Sequence, residues 1–182
     1  MPVIIDGDKQ YALIMQFIRQ LLERMDLEES VALGVAVTEY ANPAVVRFYK
    51  LRKIPCSAIN GEREATEQAK KYTIGATSHA NGSGTLHVKW DELNKALLGK
   101  EQRAACRKLR AFLKIANPCA SDAIATLLMV EAVLKDKDFG VGQLSSSLFK
   151  DHPCARFKAP VADRSNFTTD QAGTRLTDPI IL

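Results

Sequence analysis

The most distinctive chemistry in this sequence is a concentration of positive charge between residues 100 and 114. That segment carries six cations and one acid, a net charge of +5, whereas the whole chain of 182 residues has a formal net charge of +4. Guanidinium and ammonium groups at this density bind anions, and arginine can hold a phosphate through two parallel hydrogen bonds. The segment therefore indicates an anionic partner.

Five of these cations would share one face of a helix. At about 100° per residue they fall within an arc of roughly 80°, and the arc contains no acid. The five are Lys100, Arg103, Arg107, Arg110 and Lys114. A ridge of this length suits a polyanion, so we expect a nucleic acid bound through its phosphates with weak sequence preference. The alternatives are a solvated face and a face paired with acids elsewhere in the fold.

A second basic cluster lies beside two aromatic residues. Arg47 and Lys50 flank Phe48 and Tyr49, a combination that suits single-stranded nucleic acid, in which bases stack and phosphates pair. We therefore add Arg47 and Lys50 to the predicted nucleic-acid-binding residues. The alternative is that both aromatic rings belong to the core.

The sequence shows no constellation typical of an enzyme. His152 and Cys154 are too close in sequence to orient for catalysis, and no second pair of metal ligands has suitable spacing. Residues 80–85 lack the lysine and the spacing of a phosphate-binding loop. We therefore predict no catalytic residues, no metal site and no cofactor, and we expect a non-enzymatic protein, although an enzyme stays open as an alternative.

The composition is that of an ordinary globular chain, with 46% apolar and 25% charged residues. No apolar run reaches the roughly 18 residues needed to cross a bilayer, and the first residues lack the pattern of a secretion signal. The four cysteines are widely spaced and form no Cys-x-x-Cys pair, which favours a reducing, cytoplasmic compartment. We expect no contact with a membrane.

The periodicity predicts a mainly α fold, with about five to seven helices packed in a compact domain over residues 1–150. The expected helices cover residues 8–25, 43–53, a segment opening at 60–61, 91–98, 100–115 and 122–135. Residues 30–41 permit a strand or a helix, and we favour a helix because the neighbouring segments are helical. Residues 73–85 are rich in Gly, Ser and Asn and are predicted to be a loop.

Residues 151–182 are predicted to form an extended C-terminal arm. The segment has three prolines and no amphipathic period, yet it keeps apolar residues such as Phe157 and Phe167. Those side chains need a surface to cover, so the arm is expected to pack on its own domain or on a second subunit. Self-association through the arm is the oligomeric prediction.

Two segments resemble parts of known families. Residues 108–129 (KLRAFLKIANPCASDAIATLLM), followed by KDFGVG at 137–142, resemble the core of coat proteins from flexible filamentous plant viruses. That resemblance implies a helical fold, an ion pair between Arg110 and Asp138, single-stranded RNA in a basic groove, and subunits joined by arms. It makes a viral coat or nucleocapsid-type subunit the leading hypothesis.

The second resemblance is weaker in extent and concerns residues 59–69 (INGEREATEQA), which are similar to the Gly-Glu-Arg segment of the ParB/sulfiredoxin fold. It implies that Gly61, Glu62 and Arg63 contact nucleotide or DNA in a nuclease or ATPase. The third hypothesis is a protein-interaction module whose basic face binds an acidic partner. RNA and DNA are not distinguished by the sequence.

Overall fold

The chain folds around a four-stranded sheet that has helices on both faces. The computed structural model describes residues 5–38, 40–79, 82, 84–117, 119–154, 160–169 and 176–178. The strands are β1 (Leu33–Thr38), β2 (Cys56–Ile59), β3 (Ile74–Ser78) and β4 (Gly84–Val88), in the order β2-β1-β3-β4. β1 pairs in parallel with β2 and β3, and β3 pairs antiparallel with β4. The prediction of a mainly α fold is therefore wrong, because the fold is mixed α/β.

Most of the helices predicted from the sequence begin within one or two residues of the expected start. The helices in the described part of the chain are α1 (Gly7–Glu23), α2 (Pro43–Leu51), α3 (Glu62–Ala69), α4 (Trp90–Ala96), α5 (Ala104–Leu113), α6 (Ala123–Lys137) and α7 (Val141–Ser147). However, α5 begins four residues later than expected, and α7 was not predicted. Asp6 caps α1, Asn42 caps α2 and Asp122 caps α6, each by accepting hydrogen bonds from N–H groups in the first turn.

The two faces of the sheet are covered by different helices. Val35 and Val37 of β1 belong to the main core, together with the apolar stripe of α1. Ala36 points to the opposite face of the same strand and packs with Ala65 and Ala69 of α3 in a small separate core. One face therefore carries α1 with its neighbours α2, α5 and α6, and the other carries α3.

The helix favoured over residues 30–41 is wrong because that segment contains β1. All six residues of β1 are buried, since the strand is central and is covered on both faces. Such a strand lacks the alternation of apolar and polar residues that marks a half-exposed one. The loop predicted over residues 73–85 is also wrong. β3 and part of β4 lie in it, and the small residues of β3, which accept the close packing of α3, resemble a loop in composition.

The segment after α7 has little regular structure among its described residues. It contains a short 3-10 turn at Arg164–Asn166 and a small hairpin of β5 (Thr168–Thr169) and β6 (Leu176–Asp178). Phe157 and the last four residues lie outside the described residues. The division into residues 1–150 and 151–182 stays a prediction. Within the described ranges, no helix is long and apolar enough to span a membrane.

Candidate functional site

The carboxyl ends of β1, β2 and β3 lie together at one end of the sheet, which we call the carboxyl edge. Thr38 pairs with Ile59 of β2, and the preceding residue Val37 pairs with Ser78 of β3. In open α/β sheets, ligands bind outside this end, where the connecting loops diverge. Since α2 and α3 follow β1 and β2 to opposite faces, the carboxyl edge is the first place to look for a ligand site.

Three helices begin at the carboxyl edge. α2 and α3 start a few residues after β1 and β2 end, at Pro43 and Glu62. The amino end of α1 reaches the same place, because a Cβ atom at Gly7 would lie 2.0 Å from the carbonyl oxygen of His79, just after β3. The amino end of a helix carries a partial positive charge, and its first N–H groups have no partner within the helix. Asp6 and Asn42 cap the ends of α1 and α2, so the amino end of α3 is the one best able to bind a negatively charged ligand such as a phosphate.

The amino end of α3 is the most open of the three. Gly61 precedes the helix with φ of +102°, a conformation that favours glycine, and no side chain among the described residues caps the helix there. Glu62, Arg63 and Glu64 in the first turn are all exposed. Arg63 is thus an exposed cation in the first turn of α3, and an arginine at the positive end of a helix can bind a phosphate. Glu64 lies over Gly61, since its Oε2 would be 2.3 Å from a Cβ atom there.

A buried carboxyl group, that of Asp8, lies near this edge and joins two of its helices. Asp8, in the first turn of α1, is 1% exposed. Its Oδ2 accepts the backbone N–H of Asn42 at 2.7 Å, which ties α1 to the start of α2. Burial raises the pKa of Asp8 above its ordinary value, although the hydrogen bond from Asn42 partly opposes that shift. Its Oδ1 has no hydrogen-bond partner within the described residues.

Other buried polar groups lie on the same face of the sheet. Tyr49 and Ser78 are fully buried, and neither hydroxyl group has a hydrogen-bond partner in the part of the chain that the structure describes. Burial, with a contribution from Asp8, raises the pKa of the Cys56 thiol to about 12. The Cys56 thiol is therefore protonated at neutral pH and is a poor nucleophile.

An apolar cavity of about 340 Å³ opens beside the loop that follows β3. Ile5, Gln10 and Gly82 line one side of it, and residues of α6 and α7, including Leu127 and Leu134, line the other. The cavity offers few polar groups, so it suits an apolar group rather than a phosphate.

The predicted basic ridge is not a continuous helical face. Lys100 and Arg103 precede α5, and Lys114 follows its last residue. Lys100 donates to the carbonyl oxygen of Met25 at 2.7 Å, and Arg103 pairs with Asp26 at 3.5 Å. These two cations therefore bind the end of α1, where the helix dipole is negative.

The remaining predicted cations are scattered. Arg107 and Lys114 are exposed, and Arg110 is half-buried with its Nε unpaired among the described residues. Arg47 and Lys50 are exposed on α2, whereas their neighbours Phe48 and Tyr49 are buried in the core. No finding tests whether any of these seven residues binds a ligand, so that part stays a prediction.

The predicted ion pair between Arg110 and Asp138 is absent from the part of the chain that the structure describes, whereas the Gly-Glu-Arg segment at residues 61–63 lies near the candidate site. Among the described residues, no ion pair joins Arg110 to Asp138; Asp138 instead ends α6 with φ of +54°. Gly61, Glu62 and Arg63 do lie at the carboxyl edge. The sequence analysis missed Asp8 and Ser78 as edge residues, because the edge is recognisable only once β1 and β3 are identified as strands.

Comparison with known proteins gives one consistent result. The family model described as phosphoacetylglucosamine mutase AMG1, domain III, matches residues 6–139. The mouse phosphoacetylglucosamine mutase is 34% identical over 184 residues, which are 97% of this chain and 33% of the mouse protein. Phosphoacetylglucosamine mutase 2 of Schizosaccharomyces pombe is 32% identical, with the same shares. The chain thus spans about a third of the length of these curated relatives.

Solved structures agree with the sequence comparison. An Aspergillus fumigatus N-acetylphosphoglucosamine mutase, in complex with GlcNAc-6P and magnesium, matches with a TM-score of 0.85 and 27% identity over 96% of this chain and 33% of that one. An N-acetylglucosamine-phosphate mutase of the alpha-D-phosphohexomutase superfamily, in its substrate complex, matches with a TM-score of 0.84 and 28% identity, over 96% of this chain and 34% of that one.

These matches contradict the functional hypotheses drawn from the sequence. The resemblances to viral coat proteins and to the ParB/sulfiredoxin fold are wrong, since the matching family and the solved relatives are sugar-phosphate mutases. The predictions of a non-enzymatic nucleic-acid-binding protein, a capsid subunit that self-associates through its arm, and a module for an acidic partner are wrong for the same reason. The charged segment misled because its cations were assigned to one exposed helix face, whereas two of them bind the end of α1.

Proposed function

The chain belongs to the family of phosphoacetylglucosamine mutase AMG1, domain III, and from this premise we propose that its carboxyl edge binds a phosphorylated amino sugar as one part of a mutase. The observation that carries the proposal is the meeting of three helix amino ends at that edge, where the end of α3 has no side-chain cap among the described residues. The partial positive charge of these ends and the exposed cation Arg63 suit a phosphate. N-acetylglucosamine 6-phosphate is the first compound to test, because a solved relative holds it.

The proposed mutase reaction needs more than this part of the protein. The chain spans about a third of its relatives' length, and its family is described as one domain of the mutase. α6 supports the idea of a neighbouring domain, because Ile124, Leu127 and Leu128 are 72%, 59% and 54% exposed on one of its faces. An apolar face of this kind marks a surface that another part of a protein covers.

The role proposed for this chain is sugar-phosphate binding and does not include holding a metal. Magnesium is present in the solved Aspergillus relative. Among the described residues of this chain, no group of three or more His, Cys, Asp or Glu side chains is placed to hold a metal ion. The proposal therefore assigns no metal-binding role to the described residues, and no step of it passes through the ion.

A cytoplasmic location is a further part of the proposal. The four cysteines, Cys56, Cys106, Cys119 and Cys154, are free thiols in the structure. Free thiols are typical of a reducing compartment. Fractionation of cells that express the tagged protein would test this location.

Titration of the protein with N-acetylglucosamine 6-phosphate, followed by NMR, tests the proposed function. We expect chemical-shift changes at residues 38–43, 59–64 and 78–82, and no such response to unphosphorylated N-acetylglucosamine at the same concentrations. Arg63→Gln removes a charge-assisted hydrogen bond to the phosphate and should weaken binding by roughly tenfold.

Arg107→Gln is the matched control, because Arg107 is also exposed but lies on α5, whose start is beside the carboxyl end of α1 rather than its amino end. This variant should bind as the unmodified protein does. Shift changes confined to residues 100–114, or equal losses in both variants, would show that the edge is not the site.

A further inference from the structure

Residues 149–154, which we call the strap, cross the amino ends of α1 and α2 beside the carboxyl edge. Lys9, in the first turn of α1, forms an ion pair with Asp151. Its ammonium group also lies 5.6 Å from the centre of the Phe149 ring. Phe149 packs against Phe48 of α2, with ring centres 5.6 Å apart. The strap therefore contacts both helices that begin at this edge on the main-core face.

Asn42 joins the strap to α2 through hydrogen bonds in both directions. Its Nδ2 donates to the carbonyl oxygen of His152 at 3.1 Å, and its Oδ1 accepts the backbone N–H of His152 at 3.1 Å. The same Oδ1 accepts the N–H of Ala44 at 3.0 Å, and the backbone N–H of Asn42 donates to Asp8. One residue thus links α1, α2 and the strap in a continuous set of hydrogen bonds.

Lys9 ties the strap to the interior of the domain. Its side chain is 3% exposed, and a buried charge is costly unless it is paired. Asp151 supplies the opposite charge, and Phe149 supplies the face of its ring. If the strap detached, Lys9 would lose both its ion pair with Asp151 and its contact with the Phe149 ring. The strap is therefore part of the domain's packing.

The amino end of α1 transmits this restraint to the proposed ligand site. Gly7 lies directly against the carbonyl group of His79, in contact so close that a Cβ atom would be 2.0 Å away. A shift of the start of α1 would therefore displace the loop that follows β3. The contacts run without a gap from the strap through α1 to the carboxyl edge, and a path of packed and hydrogen-bonded groups of this kind can carry coupling between two sites.

We propose that the strap holds the carboxyl edge in its ligand-binding arrangement and that Asn42 is the positioning residue through which it acts. This inference rests on the proposed function of the edge. Because coupling between two equilibria is reciprocal, a ligand at the edge should tighten the strap by the factor by which the strap tightens the ligand.

The backbone amide of His152 reports directly on the strap, since its hydrogen bond goes to Asn42. The experiment measures hydrogen exchange at that amide by NMR, with and without saturating N-acetylglucosamine 6-phosphate, and the affinity for that compound by calorimetry. In the unmodified protein, the ligand should slow the exchange at His152 by about fivefold or more.

Asn42→Ser separates the strap from the cap of α2. Serine still caps a helix, but it lacks the amide group that binds His152 in both directions. Exchange at His152 should rise by roughly tenfold or more, and the affinity should fall by about fivefold or more. Asn42→Asp keeps the acceptor for the His152 N–H and loses the donor, so both effects should be intermediate. Asp163→Asn, which alters only contacts with Ser165 farther along the chain, is the control and should change neither.

Three results would overturn the proposed coupling between the strap and the carboxyl edge, and a fourth would also overturn the proposed function. Equal affinity in the unmodified protein and in Asn42→Ser would overturn the inference and leave the proposed function standing. Unchanged exchange at His152 in Asn42→Ser, or a higher affinity after the strap is weakened, would also overturn it. If none of the proteins binds the sugar phosphate, the proposed function and the coupling are both wrong.

Discussion

Asp8 places a carboxyl group in the interior with one oxygen bound to Asn42 and the other unpaired among the described residues. Burial raises its pKa, so the native state holds the proton more tightly than the unfolded chain does. Its favourable contribution is complete below the ordinary pKa of about 4. That contribution is lost as the pH rises through the raised value.

Asp8→Asn should remove this pH dependence. The asparagine oxygen can still accept the N–H of Asn42, while any cost of burying the amide group does not vary with pH. We therefore expect the free energy of unfolding of the variant, relative to that of the unmodified protein, to increase as the pH rises from about 4 and then to level off. Denaturant unfolding between about pH 3.5 and 8 measures it. A constant difference across that range would contradict the raised pKa.

At the scale of the element, α6 has some apolar side chains that are exposed and others that are buried in the core. Leu127 is 59% exposed, whereas Leu134, two turns later on the same helix, is 5% exposed. Leu134→Ala should lower the free energy of unfolding by about 2–5 kcal/mol, because it opens a cavity in the core. Leu127→Ala should change it by no more than about 0.5 kcal/mol. Urea unfolding of both variants measures the contrast, and equal losses would mean that this face of α6 is already covered within the chain.

The helices were predictable because their signals are local. The apolar stripe of α1 and the cap at Asn42 can be read within a few residues, and both α1 and α2 begin where those signals indicate. β1 and β3 could not be predicted from local signals, because their residue types depend on contacts with elements far along the chain. Val35 and Val37 face the main core, which includes the apolar stripe of α1, while Ala36 is small because α3 lies against it.

The same difference between local and long-range signals applies to the residues of the candidate site. Gly61, Glu62 and Arg63 lie at the carboxyl edge, but they were singled out by a short motif through the resemblance to the ParB/sulfiredoxin fold, which is wrong. Asp8 and Ser78 carry no such motif; they gain significance only from the ends of strands that had not been recognised. The charges at Lys100 and Arg103 are conspicuous in sequence, but whether a cation faces a ligand or a helix end depends on the tertiary arrangement.

At the scale of the whole molecule, the chain corresponds to about a third of its relatives. We therefore expect the 182-residue chain by itself to bind N-acetylglucosamine 6-phosphate without converting it. Phosphorus NMR of the sugar phosphate, incubated with the protein and magnesium, would measure conversion. A new phosphomonoester signal that grows with protein concentration would show that this chain suffices for the reaction.

The pair between Lys9 and Asp151 joins positions 142 residues apart. Contacts of such separation close a very long loop and are costly to form early. We therefore expect the pair to form after most of the sheet and the helices, and during synthesis it cannot form until residue 151 has emerged. A contact absent from the folding transition state governs how fast the native state is lost rather than how fast it is reached. The contact between Lys9 and Asp151 should therefore slow the unfolding of the domain more than it speeds its folding.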